Sequence, residues 1–221
     1  MIRAVLFDAV GTLIELREPV GETYSRAAAE QGVKISAWRM GDAFLRAFAA
    51  ADPLVFPNAG PEELPALERD WWRRLVRSTF RAADCARPVP DFDACFDGLW
   101  RHFAAATAWR TRDGAAEILD TLRDRGLRTA VVSNFDGRLS GLLDGLKLAG
   151  RLDAIVLPAD AGAAKPEARI FEVALERVGV AAGEALFVGD DAGRDLAGAR
   201  AAGLEAVDAT ALATLRDLHV P

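Results

Sequence analysis

Apolar positions follow two different rhythms along this chain. Residues 2–7 form a short apolar run that stops at Asp8, ahead of Gly11-Thr12. That pattern predicts a buried strand and then a turn. From about residue 110 strand and helix patterns alternate. Ala115, Ile118, Leu119 and Leu122 fall at helical spacing within 114–125, and Gly126 stands where a glycine commonly closes a helix. Strands are predicted at 127–132, 154–157, 185–188 and 204–207. Helices are predicted at 167–178, with Ile170, Phe171, Ala174, Leu175 and Val178 on one face, and at 196–202 up to Gly203. Such alternation is the pattern of an α/β fold with a parallel sheet.

The middle of the chain reads as helix only. Phe92, Cys95, Phe96, Leu99, Trp100 and Phe103 make one broad stripe, with Asp91 as N-cap after a turn at Pro88–Pro90. Leu64, Leu67, Trp71, Trp72, Leu75, Val76 and Phe80 make a second stripe. Glu68, Arg69, Arg73, Arg74 and Arg77 lie opposite it and predict a solvated face. Segments 24–31 and 37–49 are weaker helices, and 53–61 reads as a loop. The prediction is an α/β core at 1–15 and 109–221, with an all-helical domain at 16–108 inserted after the first strand.

Composition narrows the class. With 221 residues, 51% apolar and 27% charged, the chain can bury a real core and is not a disordered type. A net charge of −6 argues against a nucleic-acid partner drawn in by a general basic field. Cys85 and Cys95 make neither a disulfide framework nor a CxxC zinc pair, which fits a reducing cytoplasm. No apolar run approaches the ~18 residues of a membrane span, and Asp8 breaks the apolar start without a signal-type cleavage region after it. Only Lys34, Lys147 and Lys165 are lysine among 27 basic residues, so a lysine in a motif carries weight.

In an open parallel sheet, sites form at the carboxyl ends of strands. At such ends, or just beyond them, stand Asp8 with Gly11-Thr12, Ser133-Asn134, Lys165 before Pro166, and the cluster Asp190, Asp191, Asp195. Carboxylates without His or Cys suit a hard, oxygen-preferring cation, Mg²⁺ before zinc. A metal, an ammonium and hydroxyl or backbone donors suit phosphoryl oxygens. Asp8 is then available as a nucleophile.

Four ordered segments carry a resemblance. They are Phe7-Asp8-Ala9-Val10-Gly11-Thr12-Leu13, Val132-Ser133-Asn134, Ala164-Lys165-Pro166-Glu167, and Val188-Gly189-Asp190-Asp191 through Asp195. Together they resemble the motifs of haloacid dehalogenase-like hydrolases. The resemblance implies a Rossmann-like core, a helical cap of the C1 type and a small phosphorylated metabolite as substrate. It implies Asp8 as nucleophile and Mg²⁺ ligand, the Val10 carbonyl and Asp190 as further ligands, and Ser133, the Asn134 N–H and Lys165 as holders of the phosphoryl group. Thr12, Asp191 and Asp195 would stand behind the ligands and fix them.

One position departs from the family's phosphatases. Two residues after the nucleophile they carry a second Asp that moves protons; here it is Val10. General acid–base help is worth ~10²–10⁴ in rate, so a weak phosphatase is expected unless Asp191 or Asp136 substitutes. A 2-haloacid dehalogenase-type hydrolase and a metal- and phosphate-binding protein with little turnover are the alternatives. His102 is expected at the edge of its helix's apolar stripe. Arg17 and Tyr24 follow the first motif and are candidates for substrate contact.

Overall fold

The computed structural model describes residues 1–83 and 89–220. Cys85 and Pro88 lie outside the described residues. The chain divides into two compact units: Met1–Glu15, Leu54–Ala59 and Arg110–Pro221, and then Leu16–Pro53 and Gly60–Trp109.

The first is an α/β unit around a five-stranded parallel sheet. Its central strand, β1 (Ala4–Phe7), is buried along its whole length and pairs on both sides. Two faces covered by helices demand continuous apolar residues, which is why β1 reads as a run rather than an alternation. A short β2 (Ile14–Leu16) and β3 (Trp109–Thr111) make a two-stranded sheet of their own. The larger sheet is completed by β4 (Arg128–Val132), β5 (Ala154–Val156), β6 (Ala185–Gly189) and β7 (Glu205–Asp208), in the order β5-β4-β1-β6-β7. Phe7 registers with Val131 on one side and Val188 on the other, so the ends of β1, β4 and β6 are level.

In the helical unit, α1 (Val20–Glu30), α2 (Ala37–Ala49), α3 (Leu64–Ala82) and α4 (Phe92–Ala104) enclose a core rich in rings. Tyr24 is its centre, with ring centroids of Phe44 at 5.6 Å and of Phe80 and Phe103 at 6.1 Å. Asp91 caps α4 by accepting the Ala94 N–H at 2.9 Å. The α/β unit has α5 (Ala115–Asp124), α6 (Arg138–Gly145), the single turn α7 (Pro158–Ala161), α8 (Ala168–Val178) and α9 (Gly198–Ala201). All five apolar positions on the face read for α8 are buried, and Phe171 meets Phe187 edge to face at 5.2 Å.

Several expectations change. Glu68 is buried rather than on a polar face. The arginines of α3 are not simply solvated: the Arg69 guanidinium lies 5.0 Å from the Phe96 ring and that of Arg77 4.4 Å from Phe92. Arg69 also pairs with Asp97 at 2.5 Å. The helix expected from residue 196 begins at Ala192 as a π-helical stretch to Ala197, in which the Leu196 N–H reaches back to Asp191 O at 3.1 Å. Helix α6 was not anticipated, although Leu139, Leu142 and Leu143 hold helical spacing. Leu54–Ala59, read as part of the helical insertion, groups with the α/β unit. Among the described residues no helix is long and apolar enough to cross a membrane.

Candidate active site

Asp8 is the residue after β1, and its N–H donates to Val188 O at 2.9 Å, which fixes it against β6. The chain then curls back: the N–H groups of Leu13 and Ile14 both reach Ala9 O at 2.9 Å. Gly11, at φ +93°, makes this turn, and a side chain there would collide with the Asp190 carboxylate. The Thr12 hydroxyl donates to Asp190 Oδ1 at 3.4 Å.

Lys165 is buried and its Nζ donates to Asp8 Oδ1 and Asp195 Oδ1, both at 2.6 Å. The ammonium also stands 5.5 Å from the centroid of the Phe187 ring. The other oxygen of Asp195, Oδ2, accepts the N–H groups of Asp190 and Asp191 at 3.1 Å. Gly189 gives Asp195 the room to approach, since a Cβ there would overlap its carboxylate.

Charge follows from this geometry. Burial pushes the Asp8 carboxyl up, Lys165 pulls it down and Asp195 raises it again, leaving it at about 7. For Lys165 burial acts downward, but Asp8 and Asp195 outweigh it and hold the ammonium above its ordinary value. Partial desolvation and then Asp195 raise Asp190. Asp8, Asp190 and Asp195 each offer an oxygen within 4.8 Å of one another. An all-oxygen set of this charge fits one divalent cation. Both Asp195 oxygens are already engaged, so Asp8 and Asp190 suit direct ligation and Asp195 stands behind them.

Ser133 closes β4, buried, and its Oγ accepts the Phe135 N–H at 3.3 Å. The Asn134 side chain is turned to the Lys165 backbone, accepting its N–H at 2.7 Å and donating to its carbonyl at 2.9 Å. Nothing in sequence spacing pointed to that pairing. Val10 is half-buried and makes an isolated bridge to Ile14.

Asp191 is not in the carboxylate cluster. It caps the π-helical stretch, accepting from Gly193 N–H at 2.9 Å and Arg194 N–H at 2.7 Å. Asp136 is fully buried against Arg138, which donates to it from Nε at 2.8 Å and Nη2 at 2.6 Å. That ion pair speaks against Asp136 as a proton-transfer group. Tyr24 is buried in the helical core, so it presents no contact group to a substrate, whereas Arg17 is exposed and its Nε donates to Trp109 O at 2.8 Å.

Known proteins share this arrangement of sequence. Residues 2–203 match the family model for haloacid dehalogenase-like hydrolases. The haloacid dehalogenase-like hydrolase domain-containing protein 3 of Mus musculus is 38% identical over 206 residues, covering 92% of this chain and 80% of that protein. Its Bos taurus counterpart is 36% identical over 203 residues, with the same coverage, 92% and 80%. Among solved structures, a HAD phosphatase from Thermococcus onnurineus is similar with a TM-score of 0.62 and 26% identity, over 94% of this chain and 86% of that one. A dehalogenase is similar with a TM-score of 0.69 and 27% identity, over 94% and 84%.

Proposed function

The chain belongs to the haloacid dehalogenase-like hydrolases, and from that membership we propose that it is a Mg²⁺-dependent phosphatase of a small phosphorylated metabolite, with Asp8 as nucleophile. The observation that carries this reading is the Lys165 ammonium between Asp8 and Asp195, 2.6 Å from each, with the Asp190 carboxylate beside them. One ammonium cannot balance three carboxylates, and a divalent cation held by Asp8, Asp190 and the Val10 carbonyl would complete the balance. When bound, it would neutralise charge on the phosphoryl oxygens. The helical unit, by its place in the chain, would act as the C1-type cap whose loops select the substrate.

Asp8 attacks phosphorus through a carboxylate oxygen, and the bond from phosphorus to the leaving oxygen breaks, giving an aspartyl-phosphate. Ser133 Oγ accepts the Phe135 N–H, so its own O–H is directed to donate elsewhere, to a phosphoryl oxygen. The Asn134 N–H and the Lys165 ammonium hold the others. Val10 has no proton to give, so the leaving oxygen takes one from water. A second water then attacks phosphorus, releasing phosphate and a proton and restoring Asp8. Loss of a positioned acid–base group makes this slow, by ~10²–10⁴ relative to a site that has one.

Val10 also favours a second reading, a 2-haloacid dehalogenase-type hydrolase in which Asp8 displaces halide from carbon without a metal. A panel of phosphate esters with and without Mg²⁺ decides between them. Mg²⁺-dependent phosphate release that Asp8→Asn lowers by at least ~10³-fold supports the phosphatase. Metal-free chloride release from 2-chloropropionate overturns it in favour of the second reading. Binding of Mg²⁺ and phosphate without turnover overturns both and leaves a binding protein.

A further inference from the structure

Asn134 lies on the loop after β4 and Lys165 on the loop after α7, 31 residues apart. The Asn134 amide pairs with both polar groups of one residue's backbone, the Lys165 N–H at 2.7 Å and its carbonyl at 2.9 Å. The Lys165 side chain is tied at its far end to Asp8 and Asp195 at 2.6 Å. A lysine stem is flexible and samples many rotamers. Where its ammonium rests therefore depends on where its backbone is held. We propose that Asn134 acts through its side chain as the positioning residue for Lys165, setting the place of the ammonium in the phosphoryl pocket. The consequence for turnover rests on the phosphatase reading; the clamp itself rests on the two hydrogen bonds alone.

The proposal separates two uses of one residue. If the Asn134 amide held the ligand directly, its loss would weaken binding whether or not Lys165 were present. If it acts through Lys165, its loss matters only while the lysine is there. The test uses the full chain in Mg²⁺ with Asn134→Ala and Asn134→Asp, each also in a Lys165→Met background. Hydrogen exchange of the Lys165 N–H is followed beside that of Val131, a core-strand control. Asn134→Ala should strip protection from Lys165 and leave Val131 unchanged, while Asn134→Asp, which keeps an acceptor oxygen, should retain most of it. Turnover of p-nitrophenyl phosphate should fall between about 10- and 100-fold in Asn134→Ala, mostly in kcat, because small misplacements of a catalytic group are costly. In the Lys165→Met background Asn134→Ala should add no further loss, in turnover or in affinity for inorganic phosphate. Unchanged Lys165 exchange in Asn134→Ala overturns the clamp. An equal loss in both backgrounds overturns positioning and assigns Asn134 to the ligand. A wild type that neither binds nor releases phosphate defeats the phosphatase reading, and the exchange data still decide the clamp.

Discussion

In the α/β unit Asp8, Asp136, Lys165 and Asp195 are all buried, whereas the buried bulk of the helical unit is largely aromatic: Tyr24, Trp71, Phe80 and Phe96. Buried charges cost several kcal/mol each unless paired and hydrogen-bonded. The α/β unit meets that cost at its strand ends, where Lys165 bridges Asp8 and Asp195 and Arg138 grips Asp136. In the helical unit arginines stay near the surface and rest their guanidinium groups on rings, as Arg77 does on Phe92 at 4.4 Å. Contacts of that kind are worth about 0.5–1 kcal/mol at exposed sites. Glu68 apart, ring packing dominates the helical core; packing does not account for a buried ammonium among carboxylates, and that surplus singles out the candidate site.

The comparison can be broken at its chemical end first. Val10→Asp should raise phosphate-ester turnover by between ~10² and ~10⁴ if a missing proton carrier limits the rate. A folded, Mg²⁺-binding variant with no gain on any ester would sever the rate from Val10. At the packing end, Phe96→Ala should cost about 3–5 kcal/mol of stability, read by denaturant melts. It should leave the Mg²⁺-induced rise in melting temperature intact; a lost Mg²⁺ response would show that the two regions do not divide the labour as described. Smaller is the effect of the cation itself. Free Mg²⁺ at a hundred times its Kd should add about 2.7 kcal/mol, and Asp190→Ala should abolish the accompanying rise in melting temperature.

A further effect is a pH dependence in EDTA. Asp8 titrates near 7 in the fold against 3.8 as the ordinary value, so between those pH values the folded state holds more protons than the unfolded chain. Stability of the metal-free protein therefore falls as pH rises from about 4 to about 7, and the penalty is complete above that. Asp8→Asn removes this group, so its stability relative to wild type should climb across the same window and then level. Parallel curves for the two proteins would dismiss the raised carboxyl.

Much of this was legible because local rules spoke for it. β1, β4 and β6 declared themselves as apolar runs ended by Asp8, Ser133-Asn134 and Gly189-Asp190, and the α8 face by its spacing. Helix α6 had the same signal in Leu139, Leu142 and Leu143, yet it is only eight residues and follows a loop rich in polar groups. Glu68 defeated the pattern because a face set by apolar spacing says nothing about which polar neighbours are also covered.

By itself the sequence placed the candidate residues Asp8, Ser133 and Asp190 at the ends of strands, since strand termination, turn glycines and residue type are local properties. Only the tertiary structure decided who meets whom. The order β5-β4-β1-β6-β7 sets β6 beside β1, which brings Asp190 and Asp195 to Asp8 although more than half the chain separates them. Lys165 reaches Asp8 across 157 residues, and Asn134 turns its amide to the Lys165 backbone rather than outward. Asp191, adjacent to Asp190 in sequence, is sent instead to cap a helix. Neighbouring carboxylates thus part company: Asp191 takes donors two and three residues along the chain, a local cap, whereas Asp190 meets Thr12 from 178 residues away, a partnership that no local spacing encodes.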